Sequence, residues 1–70
     1  MHVVRGLWRH YKGHYYEVIE PEATNTETDE IYVVYKDGDG KVWVRPKEMF
    51  EGNVGDVPRF RLICEREEKK

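Results

Sequence analysis

The sequence predicts a small, mainly β domain: an SH3-like barrel of about five short strands. Three observations support this. At 70 residues, the chain forms one domain at most and buries only roughly 60% of the surface exposed when it is unfolded. Apolar residues alternate with a period of two through most of the chain, as in strands with one buried face. Turn-forming clusters divide these extended segments, and so small a sheet buries a face only by bending over itself.

The strands nearest the two ends of the chain are predicted from this alternation. In the stretch HYYEVIE, which follows the turn pair KG, Tyr16 and Val18 share one face. In RFRLICE, near the end of the chain, Phe60, Leu62 and Cys64 share one face. A cysteine in such a pattern is ordinarily buried, so we expect an inert, buried Cys64 thiol.

The two central strands, EIYVVYK and KVWVRP, are joined by DGDG and predict a hairpin. If Lys36 faces Lys41, then Tyr35 pairs with Val42 and Val34 pairs with Trp43. The face expected in the interior carries Ile31, Val33, Tyr35, Val42 and Val44. The face expected outside carries Tyr32, Val34, Trp43 and Arg45. A slip of one residue exchanges the two faces of a strand, so the prediction depends on this register.

Pro46 predicts at most one helical turn, over Pro46–Phe50, because proline fits the first position of a helix. Residues 65–70, EREEKK, have no apolar side chain that would anchor them. We therefore expect one domain over residues 1–64 and a flexible charged tail over residues 65–70.

The composition excludes several classes of protein. The formal net charge is −2, without the basic excess of a dedicated DNA-binding domain. Cys64 is the sole cysteine, which excludes an internal disulfide framework and a multi-cysteine zinc site. No apolar run is long enough to cross a bilayer, so we expect a cytoplasmic protein without a membrane partner.

The sequence also lacks the usual motifs of catalysis. His10 and His14 flank a predicted turn rather than sharing a helix face, so we expect no metal site. The chain has no serine, no convincing base near Cys64 in sequence and no glycine-rich phosphate loop. We expect no cofactor and no catalytic residue, and we consider an enzyme less favoured than a binding protein.

An aromatic and basic patch is the candidate binding face. It comprises Tyr32, Trp43 and Arg45, with Arg9 and His10 nearby. The leading interpretation is a non-enzymatic module that holds a protein segment, with a nucleic-acid strand as the second candidate. Near-neutral charge ranks protein first, because affinity for a strand grows with the number of phosphates neutralised. In the structural alternative, the tail or a loop covers Trp43, which then belongs to a second small core.

Two further interpretations remain open. A small hydrolase or ligand-sensing domain would combine His10, Glu27 and Arg45 in one rim site, which requires the turn after Tyr11 and the long loop before Ile31 to converge. A homodimer would instead use Tyr32, Val34 and Trp43 as a self-complementary contact.

The elements WRHYKGHYYEV, TETDEIYVVYK, WVRPKEMF and VPRF resemble, in this order, those of the bacterial domain of unknown function 1653 family. The resemblance covers about Leu7 to Phe60 and implies a small, cytoplasmic, mostly β domain without an assigned activity or known cofactor. It implies no catalytic residues. The polar family positions that it suggests at one rim of the barrel are His10, Glu27, Arg45 and Arg59.

The sequence departs from the family pattern at two places. Relatives usually carry a histidine where this chain has Asn25, so any role of that histidine is not inherited. The segment between Tyr35 and Trp43 is shorter than the corresponding family loop, so a ligand contact from that loop is not inherited either.

Overall fold

The structure, a computed structural model, describes residues 3–66 and is built mainly of β-strands. The elements are β1 (Gly6–His10), β2 (Tyr15–Thr24), β3 (Ile31–Lys36), β4 (Val42–Pro46), α1 (Lys47–Phe50), β5 (Asn53–Val54), β6 (Val57–Pro58) and β7 (Phe60–Glu65). Five strands form an antiparallel sheet in the order β4-β3-β2-β1-β7, and β5 and β6 form a separate small hairpin. The prediction of a mainly β domain is confirmed.

The large sheet is bent but not closed. The ladder between β2 and β3 is irregular between Val18 and Glu20 and again between Glu20 and Ala23. Extra residues of this kind bend a strand and increase its twist. Strands β4 and β7 are the two edges, and no ladder joins them within residues 3–66. The expected barrel is therefore a curled sheet that stays open on one side.

Aromatic side chains fill the concave face of the sheet. The buried core consists of Val3, Trp8, Val18, Val33, Tyr35, Phe50 and Phe60. The rings of Phe50 and Phe60 stack with centroids 4.0 Å apart and an interplanar angle of 6°. Trp8 meets Phe50 edge-on at 5.3 Å, and its Nε1–H donates to the Val4 carbonyl at 3.0 Å. The indole N–H of Trp8, the one polar group of the largest core side chain, is therefore hydrogen-bonded.

The single helical turn is confirmed, although it begins one residue later than predicted. Pro46 precedes the helix with an extended backbone (ψ 136°), and α1 has four residues, of which Phe50 is buried. An isolated helix this short is not stable in water, so its packing through Phe50 maintains it. No helix within residues 3–66 is long and apolar enough to cross a membrane.

The predicted register of the central hairpin is wrong by one residue. The Asp37 N–H donates to the Lys41 carbonyl at 3.0 Å, and the Gly40 N–H donates to the Asp37 carbonyl at 3.0 Å. The loop therefore has three residues, 38–40, and ends on Gly40 with a left-handed φ of 84°. Three-residue hairpin loops typically have a residue of this conformation at this position, and glycine adopts it without strain.

This turn exchanges the two faces of β4 relative to the prediction. Tyr35 lies opposite Trp43, and Val33 lies opposite Arg45. Val42 and Val44, which were expected inside, are 56% and 62% exposed. The β3 faces are as predicted, with Val33 and Tyr35 buried. Trp43 and Arg45 consequently lie on the concave side of the sheet, whereas Tyr32 and Val34 lie on the outer side.

The expectation of a buried Cys64 is also wrong, because its thiol is exposed. Trp8 pairs with Leu62 but Leu7 pairs with Cys64, so the register between β1 and β7 shifts by one residue at this point. The shift interrupts the simple alternation and puts Cys64 beside the exposed Leu7 on the outer face.

The expected boundary between the domain and its tail falls inside β7, which continues to Glu65. The Arg66 N–H then donates to the Arg5 carbonyl at 2.9 Å, so this residue is also held against the first strand. The remainder of the predicted tail, residues 67–70, lies outside the described residues.

Gly6 provides a test of how closely β1 and β7 approach. Its φ is 144°, and a Cβ placed there would overlap the backbone carbonyl oxygen of Cys64. We expect Gly6→Ala to lower the free energy of unfolding by about 2 kcal/mol or more, since strained backbone and a clash with main chain add together. Urea denaturation measures this change.

Gly38 is the matched control, because a Cβ there would meet nothing within 4 Å. Gly38→Ala is expected to change the free energy of unfolding by about 0.5 kcal/mol or less. Equal effects of the two substitutions would contradict the close approach at Gly6.

Candidate functional site

An aromatic and basic group of side chains lies on the concave side of the sheet. We call it the rim cluster, and it consists of His10, Tyr16, Tyr35, Trp43, Arg45, Arg59 and Phe60. The His10 and Phe60 ring centroids are 4.9 Å apart, and those of Tyr16 and Tyr35 are 5.3 Å apart. Tyr35 contacts Phe60 at 5.7 Å. The cluster therefore draws on β1, β2, β3, β4 and β7, and it depends on the correct curvature of the whole sheet.

Arg45 is held against this aromatic surface from β4. Its Nε–H donates to the Tyr35 hydroxyl at 3.4 Å, and its guanidinium carbon lies 5.9 Å from the Phe60 ring centroid. Both contacts require Arg45 to face the same side as Tyr35, which the three-residue turn ensures. A guanidinium placed over an aromatic face is attracted by the ring quadrupole.

His10 ends β1 opposite Phe60. Its Nδ1 accepts a hydrogen bond from the Lys12 N–H at 3.2 Å, so the neutral ring carries its proton on Nε2. Burial lowers the pKa of His10 below its ordinary 6.5, and the positive charges of Arg45 and Arg59 lower it further. At neutral pH the imidazole is therefore uncharged and has one N–H donor at Nε2.

Arg59 immediately precedes β7 and is fixed by its main chain. Its N–H donates to the Gly52 carbonyl at 3.0 Å, and its carbonyl accepts from the Tyr11 N–H at 2.9 Å. The second bond places Arg59 next to the residue that follows His10. The Nε atom of its guanidinium is buried and has no hydrogen-bond partner within residues 3–66.

The carboxylates of the described chain neutralise other cations. Arg5 lies 3.9 Å from Glu20, Lys36 lies 3.6 Å from Glu17, Lys47 lies 2.7 Å from Glu22, and Arg66 also pairs with Glu17. Within residues 3–66, no carboxylate oxygen lies within 4.0 Å of the side-chain nitrogens of Lys12, Arg45 or Arg59. Arg45 and Arg59 therefore bring to the rim cluster positive charge that no carboxylate of residues 3–66 pairs with.

An open groove of about 560 Å³ adjoins the rim cluster, between the β1–β2 and β3–β4 turns. Its lining residues are Gly13, His14, Tyr15, Tyr16, Asp37, Gly38 and Asp39. Tyr16 belongs to both the groove and the cluster. Trp43 is connected to the groove because its Nε1–H donates to Asp37 Oδ2 at 2.9 Å, and this bond is the main reason that the pKa of Asp37 is lowered.

Trp43 is accessible in the described structure. It is 42% exposed, and the Lys41 ammonium lies 4.3 Å from its ring centroid. The alternative in which a loop covers this side chain does not apply to any loop within residues 3–66. Residues 67–70, which the same alternative also invoked, lie outside the described residues.

The structure separates other predicted site residues from this cluster. Tyr32 lies on the outer face, where its hydroxyl donates to Glu30 at 3.1 Å and this bond raises the pKa of Tyr32. Arg9 pairs with Tyr15, and its guanidinium carbon lies 5.9 Å from that ring. The predicted face of Tyr32, Trp43 and Arg45 is therefore wrong, because the β4 register moved two of its members to the other side.

Glu27 lies in the loop between β2 and β3, where its N–H donates to Asn25 Oδ1 at 2.9 Å. His10 and Glu27 flank opposite ends of β2, a strand of ten residues that spans roughly 33 Å when straight. The convergence required for a rim site of His10, Glu27 and Arg45 is not observed. The self-complementary contact of Tyr32, Val34 and Trp43 likewise does not form one surface, since Trp43 faces the other side.

The residue pattern alone overlooked the contributions of Tyr16 and Tyr35 to this site. It assigned Arg59 to a solvated face, and only the family resemblance suggested Arg59 at the rim. Alternation assigns both tyrosines to the interior, but it gives no sign that the Tyr35 hydroxyl reaches Arg45. Arg59 precedes a strand in which every second residue faces solvent, and so it resembled a solvated surface cation. Its main-chain bonds to Gly52 and Tyr11 are long-range contacts that no local pattern indicates.

Comparison with known families identifies one family. The family model described as "Protein of unknown function (DUF1653)" matches residues 6–62. The chain belongs to this family. Searches of the curated proteins and of the solved structures found no match. In this DUF1653 member, three of the four polar family positions, His10, Arg45 and Arg59, come together, whereas Glu27 does not. No group of three or more His, Cys, Asp or Glu side chains within residues 3–66 is arranged to hold a metal ion.

The charge environment of His10 is open to direct test by NMR titration. We expect a pKa below 6.5, and we expect Arg45→Gln to raise it because a nearby positive charge is removed. The control is Arg61→Gln, which changes an exposed cation on β7. An unchanged His10 pKa in Arg45→Gln would show that the two groups do not interact.

The same shift makes folding stability depend on pH. A lowered pKa means that the unfolded chain binds a proton at His10 more readily than the folded chain does. The contribution of His10 to folding stability is therefore fully present above about pH 6.5, the pKa of the unfolded chain. It is lost as the pH falls through the lower pKa of the folded protein. Urea denaturation at several pH values should show this loss in the wild type and a smaller loss in His10→Gln.

Trp43→Phe tests the link between the rim cluster and the turn. The substitution keeps an aromatic ring beside Lys41 but removes the donor to Asp37. We expect the pKa of Asp37 to rise, because a hydrogen bond that favours the ionised carboxylate is lost. Carbon-detected NMR of the carboxyl group measures the change, and an unaltered titration would contradict the bond.

Proposed function

We propose that this chain is a non-enzymatic binding module whose rim cluster holds an extended protein segment. The observation that carries the proposal is the joint placement of exposed aromatic surface and uncompensated positive charge beside an open groove. Sites that recognise peptides combine flat apolar surfaces with a few fixed polar groups.

The edge strand β4 supports an extended ligand. It pairs with β3 on one side and is the last strand of the sheet on the other. A segment that adds to such an edge makes main-chain hydrogen bonds, while pockets for alternate side chains provide specificity. Trp43 and Arg45 are two residues apart on the same face of β4, so they would contact alternate side chains of that segment.

A nucleic-acid strand is the second candidate, and one specific observation favours it. Two exposed tyrosines near the groove each have a cation beside the ring: Lys12 lies 5.9 Å from the Tyr11 centroid, and Arg9 lies 5.9 Å from the Tyr15 centroid. Aromatic platforms with adjacent cations suit single strands. The net charge of −2 and the acidic side chains in the groove rank this candidate below a protein segment.

The alternative of a hydrolase or ligand-sensing domain receives less support from the geometry. Its site required a carboxylate next to His10, and Glu27 lies in a loop at the other end of β2. The groups that surround His10 are aromatic or cationic. This environment suits recognition of a ligand better than general acid–base chemistry with a paired carboxylate.

Selection from a random peptide library displayed on phage tests the proposal. One enriched peptide is then synthesised, and its dissociation constant is measured by fluorescence anisotropy. We expect Trp43→Ala and Arg45→Ala each to weaken binding about tenfold or more, as for central contact residues. Val44→Thr is the matched control, because it changes an exposed residue on the opposite face of the same strand with little change of shape.

Circular dichroism and urea denaturation establish that each variant is folded. Failure to enrich any peptide, or equal weakening by Val44→Thr, would contradict a binding site at the rim cluster. A uridine oligonucleotide that binds more tightly than the best peptide, and that loses affinity in the same variants, would replace the first candidate with the second.

A further inference from the structure

Three polar residues of the rim cluster lie close to Phe60 in space or in the chain. His10 lies 4.9 Å from this ring, and the Arg45 guanidinium carbon lies 5.9 Å from it. Arg59 is the preceding residue in the chain, and its carbonyl is bonded to the main chain of Tyr11, the neighbour of His10. The residues come from three different strands or their ends, so the fold brings them together.

These side chains provide hydrogen-bond donors that the described protein leaves unused. The Arg59 Nε–H is buried without a partner in residues 3–66. Arg45 commits its Nε–H to Tyr35, which leaves its four terminal N–H groups. His10 accepts at Nδ1, so its Nε2–H is available as a donor. A buried N–H without a partner destabilises the folded state.

The positive charge around these donors favours a negatively charged acceptor. Arg45 and Arg59 are both cationic and half-buried, and Lys12 adds a third positive charge nearby. No carboxylate within residues 3–66 lies within 4.0 Å of any of them. Half-buried guanidinium groups bind anions more strongly than fully hydrated ones do, because screening by water is weaker.

We propose that His10, Arg45 and Arg59 form a site for one oxyanion, a carboxylate or a phosphate monoester, carried by the protein segment that the rim cluster binds. The identity of the carrier rests on the proposed function, whereas the oxyanion site itself does not. The planar fork of N–H groups in arginine matches the paired oxygens of both anions, and such charge-assisted bonds are stronger than neutral ones. A segment lying along β4 would present an acidic or phosphorylated side chain to this site.

NMR titration of the full chain with inorganic phosphate, and separately with acetate, tests the site. Ionic strength is held constant with sodium chloride, and the His10 ring and the Arg59 Nε–H are observed. We expect saturable changes at both groups with at least one of the two anions. Arg45→Gln and Arg59→Lys should each weaken binding about tenfold or more, because the first removes a charge and the second removes the fork.

Arg61→Gln is the matched control. Arg61 is an exposed cation on β7, within two residues of Arg59, and lies outside the cluster. Equal weakening in Arg61→Gln would overturn the site and show that the anions respond to general charge. Linear changes that sodium chloride alone reproduces in the wild type would also overturn it, whether or not the variants fold.

The two anions and the selected peptides separate this inference from the proposed function. Saturation by phosphate at a much lower concentration than by acetate identifies a phosphoryl group as the ligand, and the reverse order identifies a carboxylate. Comparable saturation supports a site that accepts either oxyanion. Peptides that bind without any acidic or phosphorylated residue, combined with no saturable anion binding, would overturn the oxyanion site and leave the proposed function intact. Saturable anion binding without any peptide enrichment would support the site and contradict the proposed function.

Discussion

The stacking of Phe50 on Phe60 is the contact on which the rest of this small fold depends. It joins the four-residue helical turn to the last strand, and Trp8, Tyr35 and His10 pack around the pair. Aromatic pairs contribute about 0.5–1.5 kcal/mol beyond their buried area, which is a substantial share of the stability of so short a chain. Because Phe60 is also the surface beneath Arg45, the same contact that stabilises the core positions the candidate site.

The sequence predicted the elements of this fold better than it predicted their faces. Alternation correctly placed Val18, Val33 and Phe60 inside, because each lies in a stretch that keeps its register with one neighbouring strand. It failed for β4 and for Cys64, and in both cases one residue of register decided the result. The stretch DGDG is compatible with several turn lengths, and its preferred length depends on the conformation of Gly40, which no periodicity reveals.

The candidate site was predictable in its residue types and only partly in its geometry. Trp43, Arg45 and His10 were recognisable as an aromatic and basic set, and the family resemblance of the sequence added Arg59. The exchange of faces in β4 then brought Arg45 toward His10 and Phe60 instead of toward Tyr32. Glu27 lies apart from His10 because β2 is one continuous strand of ten residues. The length of this strand depends on its pairing with neighbouring strands, which the sequence pattern does not show.

A domain of this size is only marginally stable, so cations left without carboxylate partners at the rim cluster call for an explanation. Elsewhere in the described chain, carboxylates pair with Arg5, Lys36, Lys47 and Arg66, so the sequence does not lack acidic groups. A carboxylate beside Arg59 would satisfy its buried Nε–H and relieve repulsion among the cations. Natural proteins depart from such local optimisation mainly at functional sites, where a ligand supplies the missing partner. The uncompensated guanidinium groups of Arg45 and Arg59 are therefore the feature on which the proposed recognition of a ligand rests.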